Sequence, residues 1–441
     1  MSLSRTIQNR ASRWMLSTKT QNRLRALARL RRRLSGSPRR VHYYHQADDP
    51  YSHLACQILG QLAERYDIEL VIRLVGPPDD AAAPDRERLI TYSRFDAACI
   101  AEPFGLEFSD PGHQPSPENL QRAREILAPH LHPTLFAKIA WRVGAALWRD
   151  DTDEILALAN EFGTANAEET DAAIAAGNQE RRRLRHYNAA TFYFEGEWYW
   201  GVDRLHYLEQ RLIDDGARRG PAGAMLVARR EVSDDRIPAP AEKKIVLEYF
   251  PSLRSPYSAI STARSFGLAE RLPIELVLKP VLPMVMRGLA VPVAKRLYIV
   301  RDTKREADFL GIAFGDIHDP VGRPVERAFS LYPFAKRNGR GGEFLTAFLQ
   351  DSFAGGIDTG TDEGLRHVVE RAGLLWSEAR EFLDTAGWRE ELEANREEML
   401  RAGIWGVPSY RVRSEGEADF AVWGQDRIWL VEREIRRRLA N

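Results

Sequence analysis

The chain has 441 residues, of which 44% are hydrophobic and 29% are charged, and its formal net charge is zero. This length predicts two or three domains, and the composition is typical of a globular protein rather than a disordered one. No run of about 18 apolar residues occurs, which argues against a transmembrane helix. Two cysteines, Cys56 and Cys99, are too few for a disulfide scaffold or a four-cysteine zinc site.

The neutral total hides a basic N-terminal arm. Residues 1–40 contain eleven Arg and one Lys but no Asp or Glu, so the rest of the chain carries the balancing negative charge. Leucines recur in the arm near helical spacing, at Leu24, Leu27, Leu30 and Leu34. Three interpretations stay open: a helix folded back on the acidic body, a surface for anionic lipid or nucleic acid, and an organelle-targeting peptide. The arm lacks the apolar core of a secretory signal, and we expect a cytoplasmic protein.

Two segments of the chain resemble each other in order and spacing. In both segments a predicted strand with an aromatic end is followed by the motif Pro-Tyr-Ser. The motif occupies residues 50–52 and recurs 206 residues later, at residues 256–258. Further downstream, Trp-Gly-Val-Asp-Arg-Leu at residues 200–205 resembles Trp-Gly-Gln-Asp-Arg-Ile at residues 423–428. Glu209 then matches Glu432. Two matches in the same order indicate a tandem duplication.

The duplication predicts four parts of the chain. These are the basic arm (1–40), a first repeat (41–213), a linker (214–244) and a second repeat (245–441). The linker is rich in Gly and Pro with mixed charges, which is typical of an exposed connection.

Each repeat has the same predicted order of elements: strand, helix, strand, a long helical middle, two strands and a last helix. Proline occupies the predicted first helical turn in both, at Pro50 and Pro256. The predicted strands are 41–44, 68–74, 191–194 and 198–200 in the first repeat, and 245–250, 274–279, 409–412 and 420–423 in the second. The first half of the order favours a parallel pair and the second half a hairpin. This is the α/β order of two tandem thioredoxin-like folds, each with an inserted helical subdomain. Asn338 and the glycines after it are predicted to form a helix boundary within the second insertion.

The second repeat resembles a known family through several motifs. They are Ser-Pro-Tyr-Ser at 255–258, Val-Ala-Lys-Arg at 293–296 with Arg-Asp at 301–302, Gly-Ile-Trp-Gly-Val-Pro at 403–408, and Trp-Gly-Gln-Asp-Arg at 423–427. Together they resemble the DsbA superfamily, and within it the branch of 2-hydroxychromene-2-carboxylate isomerase and kappa-class glutathione transferase. The likeness covers nearly all of residues 245–435, and the first repeat resembles the family more faintly.

The Ser-Pro-Tyr-Ser motif lies where dithiol relatives of the superfamily carry Cys-Pro-X-Cys. Hydroxyls replace both sulfurs, so a dithiol–disulfide cycle of the chain's own is chemically impossible here. Ser255, at a predicted helix N-terminus, could donate a hydrogen bond to a thiolate brought by another molecule and lower the pKa of that thiol. The resemblance implies that this molecule is glutathione and that Ser255 is the catalytic residue. The alternative is an ordinary helix N-cap.

The resemblance also implies a set of glutathione-binding residues. Pro408 would be cis and would expose the backbone of Val407 to an extended peptide. Asp426 would pair with the γ-glutamyl ammonium, and Gln425 or nearby backbone N–H groups would meet its carboxylate. Lys295 would meet a carboxylate of glutathione or substrate. The structural alternatives are a strand-opening proline, a helix cap and a surface charge.

Two further features bear on the substrate. The family often has an Asn-containing turn upstream of the lysine, whereas residues 286–289 read Met-Arg-Gly-Leu, a departure that leaves the substrate and the isomerase reaction open. Aromatic residues near the motifs could line a pocket for an aromatic or unsaturated substrate, although most of them are expected in the core. They are Tyr249, Phe250, Trp405 and Trp423.

The first repeat lacks the chemistry of the second. Asp49 occupies the position of the candidate serine, where a carboxylate would raise the pKa of a thiol. Ala190 replaces the proline, so that peptide bond is predicted to be trans, and Glu87 replaces the lysine. Both cysteines belong to this repeat and are expected to be inert. We therefore expect a non-catalytic repeat, retained for packing or for another ligand.

Three functions remain from the sequence, and one of them is a protein that the basic arm directs to a membrane or to nucleic acid. The other two depend on the second repeat. The first is a glutathione-dependent isomerase or transferase, active in the second repeat only. The second is a non-catalytic thioredoxin-like module that binds a peptide or partner along the Val407 edge. No metal is expected, because the ten His show no ligand spacing. An intramolecular pseudo-dimer of the two repeats and a homo-oligomer are both open.

Overall fold

The computed structural model describes residues 13–238 and 244–440, so parts of the predicted arm and linker lie outside the described residues. Its contacts divide the chain into two compact units. The N-terminal unit runs from Arg23 to Arg229 and also takes in Pro292–Lys295. The C-terminal unit comprises the described residues of Arg230–Val291 and Arg296–Asn441, together with residues 13–22. The division at residue 229 falls inside the predicted linker.

The N-terminal unit contains a four-stranded sheet of order β2-β1-β3-β4. Strands β1 and β2 are parallel, and the remaining neighbours are antiparallel. The central strand carries Tyr43 and Tyr44, both fully buried, as expected for a strand covered on both faces. The strands are β1 (Arg40–His45), β2 (Glu69–Leu74), β3 (Thr191–Phe194) and β4 (Glu197–Trp200).

The C-terminal unit contains a second four-stranded sheet with the same order and directions, β6-β5-β7-β8. Its central strand pairs Tyr249 with Tyr410, and the two rings stack with their centroids 5.2 Å apart. Every strand predicted from the sequence is present, with ends that differ by a few residues. The strands are β5 (Ile245–Phe250), β6 (Glu275–Leu278), β7 (Ser409–Ser414) and β8 (Phe420–Trp423).

Helices precede, connect and follow the strands of the two sheets. In the N-terminal part of the chain they are α1 (Thr18–Leu34), α2 (Pro50–Cys56), α3 (Leu59–Arg65), α4 (Arg86–Ala101), α5 (Pro117–Leu127), α6 (Pro133–Trp148), α7 (Thr152–Phe162), α8 (Ala167–Arg183) and α9 (Leu205–Asp214). In the C-terminal part they are α10 (Pro256–Arg271), α11 (Val293–Leu310), α12 (Arg323–Arg337), α13 (Gly341–Phe353), α14 (Asp362–Arg371), α15 (Trp376–Ala379), α16 (Trp388–Arg401) and α17 (Ile428–Ala440). Within the described ranges no helix is both long and apolar enough to cross a membrane.

The first helix of each sheet begins at the predicted proline, but the two helices differ in length. In the C-terminal unit α10 runs unbroken for 16 residues, whereas in the N-terminal unit α2 ends at Cys56 and α3 starts afresh at Leu59. The predicted boundary after Asn338 is confirmed, because α12 ends at Arg337 and α13 begins at Gly341.

The helical insertion of the C-terminal unit packs against α10 and so helps to place its N-terminus. A Cβ on Gly342, in the first turn of α13, would lie 2.6 Å from the ring of Phe266 on α10. The insertion has its own apolar core, in which Phe329 stacks on Trp388 with a centroid separation of 5.6 Å. This core reaches Leu253 and Ile260, which flank the start of α10.

Two buried glutamates each bind backbone of the linker. Glu209 accepts hydrogen bonds from the N–H of Leu226 at 2.8 Å and from the Tyr66 hydroxyl at 2.9 Å. Glu432 accepts one from the N–H of Ser233 at 2.8 Å. These are the two glutamates that the sequence comparison matched, and each serves as an anchor for linker backbone.

Candidate functional site

Ser255 is the N-cap of α10. Its Oγ accepts a hydrogen bond from the N–H of Ser258 at 3.1 Å, and its backbone is extended, with φ −94° and ψ 116°. A hydroxyl has one donor and two acceptor positions, so this capping bond leaves the donor free to act elsewhere. In the structure that donor points to the carbonyl oxygen of Val407 at 3.4 Å, well beyond the usual length of about 2.7–2.8 Å for O–H···O bonds. The capping role is thus present, and the donor is only weakly engaged.

Val407 and Pro408 lie directly beside this hydroxyl. The peptide bond between them is cis, as predicted. The N–H of Val407 has no acceptor among the residues that the structure describes, and Val407 itself is half-buried. An unpaired backbone N–H next to a weakly engaged hydroxyl gives the site two donors for a ligand.

The turn that follows β8 is hydrogen-bonded to Pro408. The N–H of Gly424 donates to the carbonyl oxygen of Pro408 at 2.9 Å, which brings Gln425 and Asp426 toward the proline. Gly424 has φ +120°, and a Cβ there would lie 2.4 Å from Oδ1 of Asp426. Only glycine fits both conditions. The structure therefore brings together four of the predicted site residues with Ser255.

The side chain of Gln425 is hydrogen-bonded within the protein, and its predicted contact with a ligand carboxylate stays a prediction. Its side chain is buried, its Nε2 donates to Oε2 of Glu306 at 2.9 Å, and its Oε1 accepts from Nη1 of Arg264 at 2.9 Å. Glu306 is itself fully buried. A ligand carboxylate would have to break these bonds to reach the amide, so Gln425 acts on the turn by holding it in place. Asp426 keeps 26% of its side chain exposed, with Nη1 of Arg427 at 3.8 Å.

A close approach that the sequence reasoning missed involves Gly406. A Cβ on Gly406 would lie 1.8 Å from Cε2 of Trp423, so the indole ring rests directly on the backbone before the cis peptide. Trp405 contacts the same ring, with the two centroids 5.2 Å apart. The glycine in Gly-Val-Pro was the available signal. Of the four aromatic residues considered for a pocket, Trp423 is half-buried, and Tyr249, Phe250 and Trp405 belong to the core.

A second feature that the sequence reasoning missed is a hydrogen bond of Tyr257, the residue that follows the proline of the Ser-Pro-Tyr-Ser motif. The hydroxyl of Tyr257 donates to Oδ2 of the fully buried Asp302 at 2.8 Å. The N-terminal unit has the same pair at the same spacing, since Tyr51 donates to Oδ2 of Asp96 at 2.7 Å. Both residues of the pair recur at an offset of 206, which is the signal that could have found it.

Lys295 is grouped with the N-terminal unit, whereas Ser255 and the residues around it belong to the C-terminal unit. It lies in the first turn of α11, in the short segment grouped with the N-terminal unit, and its ammonium donates to the carbonyl oxygen of Ala82 at 2.7 Å. Burial lowers the pKa of Lys295 to about 8. Its binding of a carboxylate stays a prediction.

The N-terminal unit repeats the frame of the site with other residues. Asp49 caps α2 by accepting from the N–H of Ser52 at 3.0 Å, and burial raises its pKa to about 6. The bond between Ala189 and Ala190 is trans, as predicted, and the carbonyl oxygen of Ala190 accepts from Gly201 at 2.8 Å. Glu87 lies in the first turn of α4.

Cysteine chemistry is not supported in the N-terminal unit. Cys56 is fully buried, its Sγ donates to the carbonyl oxygen of His53 at 3.1 Å, and burial raises the pKa of its thiol. A thiol that resists ionisation is a poor nucleophile, which agrees with the expectation of an inert cysteine. Cys99 is half-buried and is not in a disulfide.

A parallel strand pair, a helical insertion and an antiparallel hairpin around a capped helix define a mixed α/β protein of the thioredoxin class. Residues 246–436 match the DSBA-like thioredoxin domain, which places a DsbA-like thioredoxin domain in the C-terminal unit. No curated protein gives a match to the chain.

Several solved structures resemble part of the chain. A probable DsbA oxidoreductase from Streptomyces coelicolor is 20% identical, with 44% of this chain and 90% of the other covered and a TM-score of 0.35. A 2-hydroxychromene-2-carboxylate isomerase is 18% identical, covering 44% and 95%, with a TM-score of 0.37. The cytosolic disulfide reductase DsbM from Pseudomonas aeruginosa is 18% identical, covering 44% and 99%, with a TM-score of 0.35. The names of these three structures describe the activities of those proteins.

Proposed function

We propose that the C-terminal unit is a glutathione-dependent isomerase or transferase of the 2-hydroxychromene-2-carboxylate isomerase and kappa-class type, acting in the cytoplasm on a small aromatic or unsaturated substrate. The observation that carries the proposal is the pair of donors at one point: the Ser255 hydroxyl and the N–H of Val407. Neither has a strong acceptor among the described residues.

The residues fit glutathione at three points. Ser255 gives up its long contact with Val407 at little cost and donates to a thiolate instead, while the capping bond to Ser258 holds Oγ in place. The N-terminus of the 16-residue α10 favours negative charge at the same point. The N–H of Val407 donates to a main-chain carbonyl of the tripeptide. Asp426, partly exposed, accepts from the γ-glutamyl ammonium.

Glutathione would supply the one group that the site lacks, a thiol able to add reversibly to an unsaturated carbon. The chain's part is to stabilise that thiol as the anion, because a hydroxyl donor and a helix N-terminus both lower its pKa. Gln425 contributes indirectly, since its bonds to Glu306 and Arg264 fix the turn that carries Asp426. The predicted contact of Lys295 with a carboxylate remains part of the proposal.

The proposal includes a tandem duplication with a non-catalytic first repeat. The identical order of the two sheets supports it, as do the two Tyr–Asp pairs with the same spacing. Asp49 in place of the serine supports the loss of function, because a carboxylate at the helix N-terminus repels a thiolate.

A calorimetric titration of the full chain tests the proposal. Glutathione and S-methylglutathione are titrated into the wild type, Ser255→Ala, Asp426→Ala and the control Ser377→Ala, whose serine is exposed on α15. We expect Ser255→Ala to weaken the binding of glutathione more than the binding of S-methylglutathione. Asp426→Ala should weaken the binding of both ligands, and the control should bind both as the wild type does. If the wild type shows no binding of glutathione at millimolar concentration, the proposal is contradicted and the partner-binding module is favoured.

A further inference from the structure

Helix α1 is clamped to the N-terminal unit through its charged face. From Arg23 onward the helix belongs to that unit. Arg25 makes a bidentate pair with Glu197, with N–O distances of 2.7 and 3.0 Å. Arg29 lies 2.5 Å from the carboxylate of Asp215, whose side chain is 3% exposed. Bidentate and partly buried pairs of this kind orient a helix better than exposed ones.

Arg32 completes the clamp one turn later. Its Nε lies 2.7 Å from Oε1 of Glu195, and its Nη2 pairs with Asp215. Arg25, Arg29 and Arg32 follow at spacings of four and three residues, so they share one side of the helix. This agrees with the first interpretation of the arm, a helix folded back on acidic residues.

The clamp turns the leucines outward. Leu24, Leu27, Leu30 and Leu34 occupy the side of α1 away from the paired arginines, and they are 48%, 49%, 52% and 79% exposed. A surface helix normally buries its apolar stripe and exposes its charges. Here the charged side is held against the protein and the apolar stripe faces outward, an arrangement that marks an interaction surface. We call these four side chains the leucine face.

The leucine face also carries positive charge, since Arg23 and Arg31 each lie four residues from Leu27 and share its side of the helix. Arg23, Arg31 and Arg33 are exposed, and among the described residues none of them has an acidic partner. Leucines inserted at the acyl boundary with arginines at headgroup level are the pattern of a helix that lies in the plane of an anionic bilayer.

We propose that the leucine face docks α1 on the surface of a membrane that contains anionic lipid. A second copy of the chain is a poorer occupant, because a symmetric contact centred on Leu27 would bring Arg23 of one copy against Arg31 of the other. Four partly exposed leucines also fall short of the roughly 800 Å² per partner of a standard protein interface. Nucleic acid would use the arginines but offers the leucines no apolar surface. This proposal is independent of the proposed glutathione chemistry.

Sedimentation with lipid vesicles tests the proposal on the full chain. Vesicles of phosphatidylcholine alone are compared with vesicles containing phosphatidylglycerol, at low and at physiological salt. The variants are Leu27→Glu with Leu30→Glu, and Arg23→Gln with Arg31→Gln. The matched control is Leu156→Glu, which changes a leucine of similar exposure (43%) on α7 of the same unit.

We expect the wild type to bind the anionic vesicles and to bind them less as salt rises. The double leucine variant should bind at least about tenfold more weakly, because two apolar side chains no longer enter the bilayer. The arginine variant should lose part of the binding, and the control should equal the wild type. Circular dichroism and thermal unfolding show whether each variant is folded.

Results of three kinds would overturn the proposal. One is equal binding to neutral and anionic vesicles, or no binding at low salt. Another is a folded double leucine variant that binds as the wild type does. The third is a concentration-dependent dimer in light scattering that the leucine substitutions abolish, or duplex DNA binding that they leave intact.

Discussion

The hydroxyl oxygen of Ser255 lies 3.4 Å from the carbonyl oxygen of Val407, although 152 residues separate them in the chain. The contact joins the N-terminus of α10 to the loop that enters β7. It is too long to be a strong hydrogen bond, while the capping bond to Ser258 at 3.1 Å is of ordinary length. The same oxygen is therefore firmly positioned through its acceptor role and available through its donor role.

Ser255→Asp should separate these two roles. Asp is as good an N-cap as Ser, and Asp49 caps the matching helix of the N-terminal unit. We expect the variant to unfold in denaturant at nearly the wild-type midpoint but to bind glutathione at least about tenfold more weakly, because the carboxylate disfavours a thiolate. Ser255→Ala should instead lose about 1 kcal/mol of stability with the cap. Undiminished binding by Ser255→Asp would contradict the role given to the hydroxyl.

Gly406→Ala should destabilise the C-terminal unit by at least about 3 kcal/mol, because the new methyl group overlaps the ring of Trp423. Thermal and denaturant unfolding measure the change. Gly387→Ala is the control, since nothing lies within 4 Å of its added Cβ and its φ of −62° suits alanine. A shift no larger than that of the control would mean that the ring moves aside freely.

Tyr257→Phe should cost about 1–3 kcal/mol of unfolding free energy, because the buried carboxylate of Asp302 loses a donor. Tyr51→Phe should have a similar effect in the N-terminal unit through Asp96. Tyr44→Phe is the matched control: its hydroxyl is buried, but no hydrogen bond is lost with it. If all three substitutions gave equal changes in denaturant midpoint, the pairs would have no special role in stability.

The N-terminal unit should lose stability in mild acid. His45 and His53 are buried, and burial lowers the pKa of His45 to about 3 and that of His53 to about 4, below the ordinary 6.5. Below pH 6.5 these two histidines become protonated in the unfolded chain but stay neutral in the folded chain. These two histidines therefore make the unfolding free energy fall as the pH drops toward 4, by up to about 1.4 kcal/mol per pH unit for each histidine. Asp49 offsets part of this fall below pH 6, because burial raises its pKa to about 6 and the folded chain then takes up a proton first.

His53→Phe isolates one of these contributions. Between pH 6.5 and 4, its unfolding free energy should fall less steeply than that of the wild type, whatever its absolute stability. Denaturant titrations across this range measure the slopes, and an unchanged slope in His53→Phe would show that this histidine is protonated in the folded state.

Local patterns in the sequence were sufficient for most of the secondary structure. Prolines marked the first turns of α2 and α10, aromatic and β-branched runs marked the strands, and the glycines after Asn338 marked a helix boundary. These features depend on the backbone preferences of a few neighbouring residues, so a single sequence suffices to find them. The resemblance of the motifs in the second repeat also predicted that the peptide bond before Pro408 is cis and that it lies beside Ser255.

Tertiary contacts decided the rest, because they join residues far apart in the chain. Gln425 has the same identity whether its amide faces a ligand or a buried Glu306, and only the packing of α11 against the turn distinguishes the two. The leucines of α1 predict an apolar stripe, but the acidic side chains at 195, 197 and 215 determine that this stripe points outward. Periodicity establishes that a helix has two faces. Which face is buried depends on the partner it meets, and that choice is made by the whole fold.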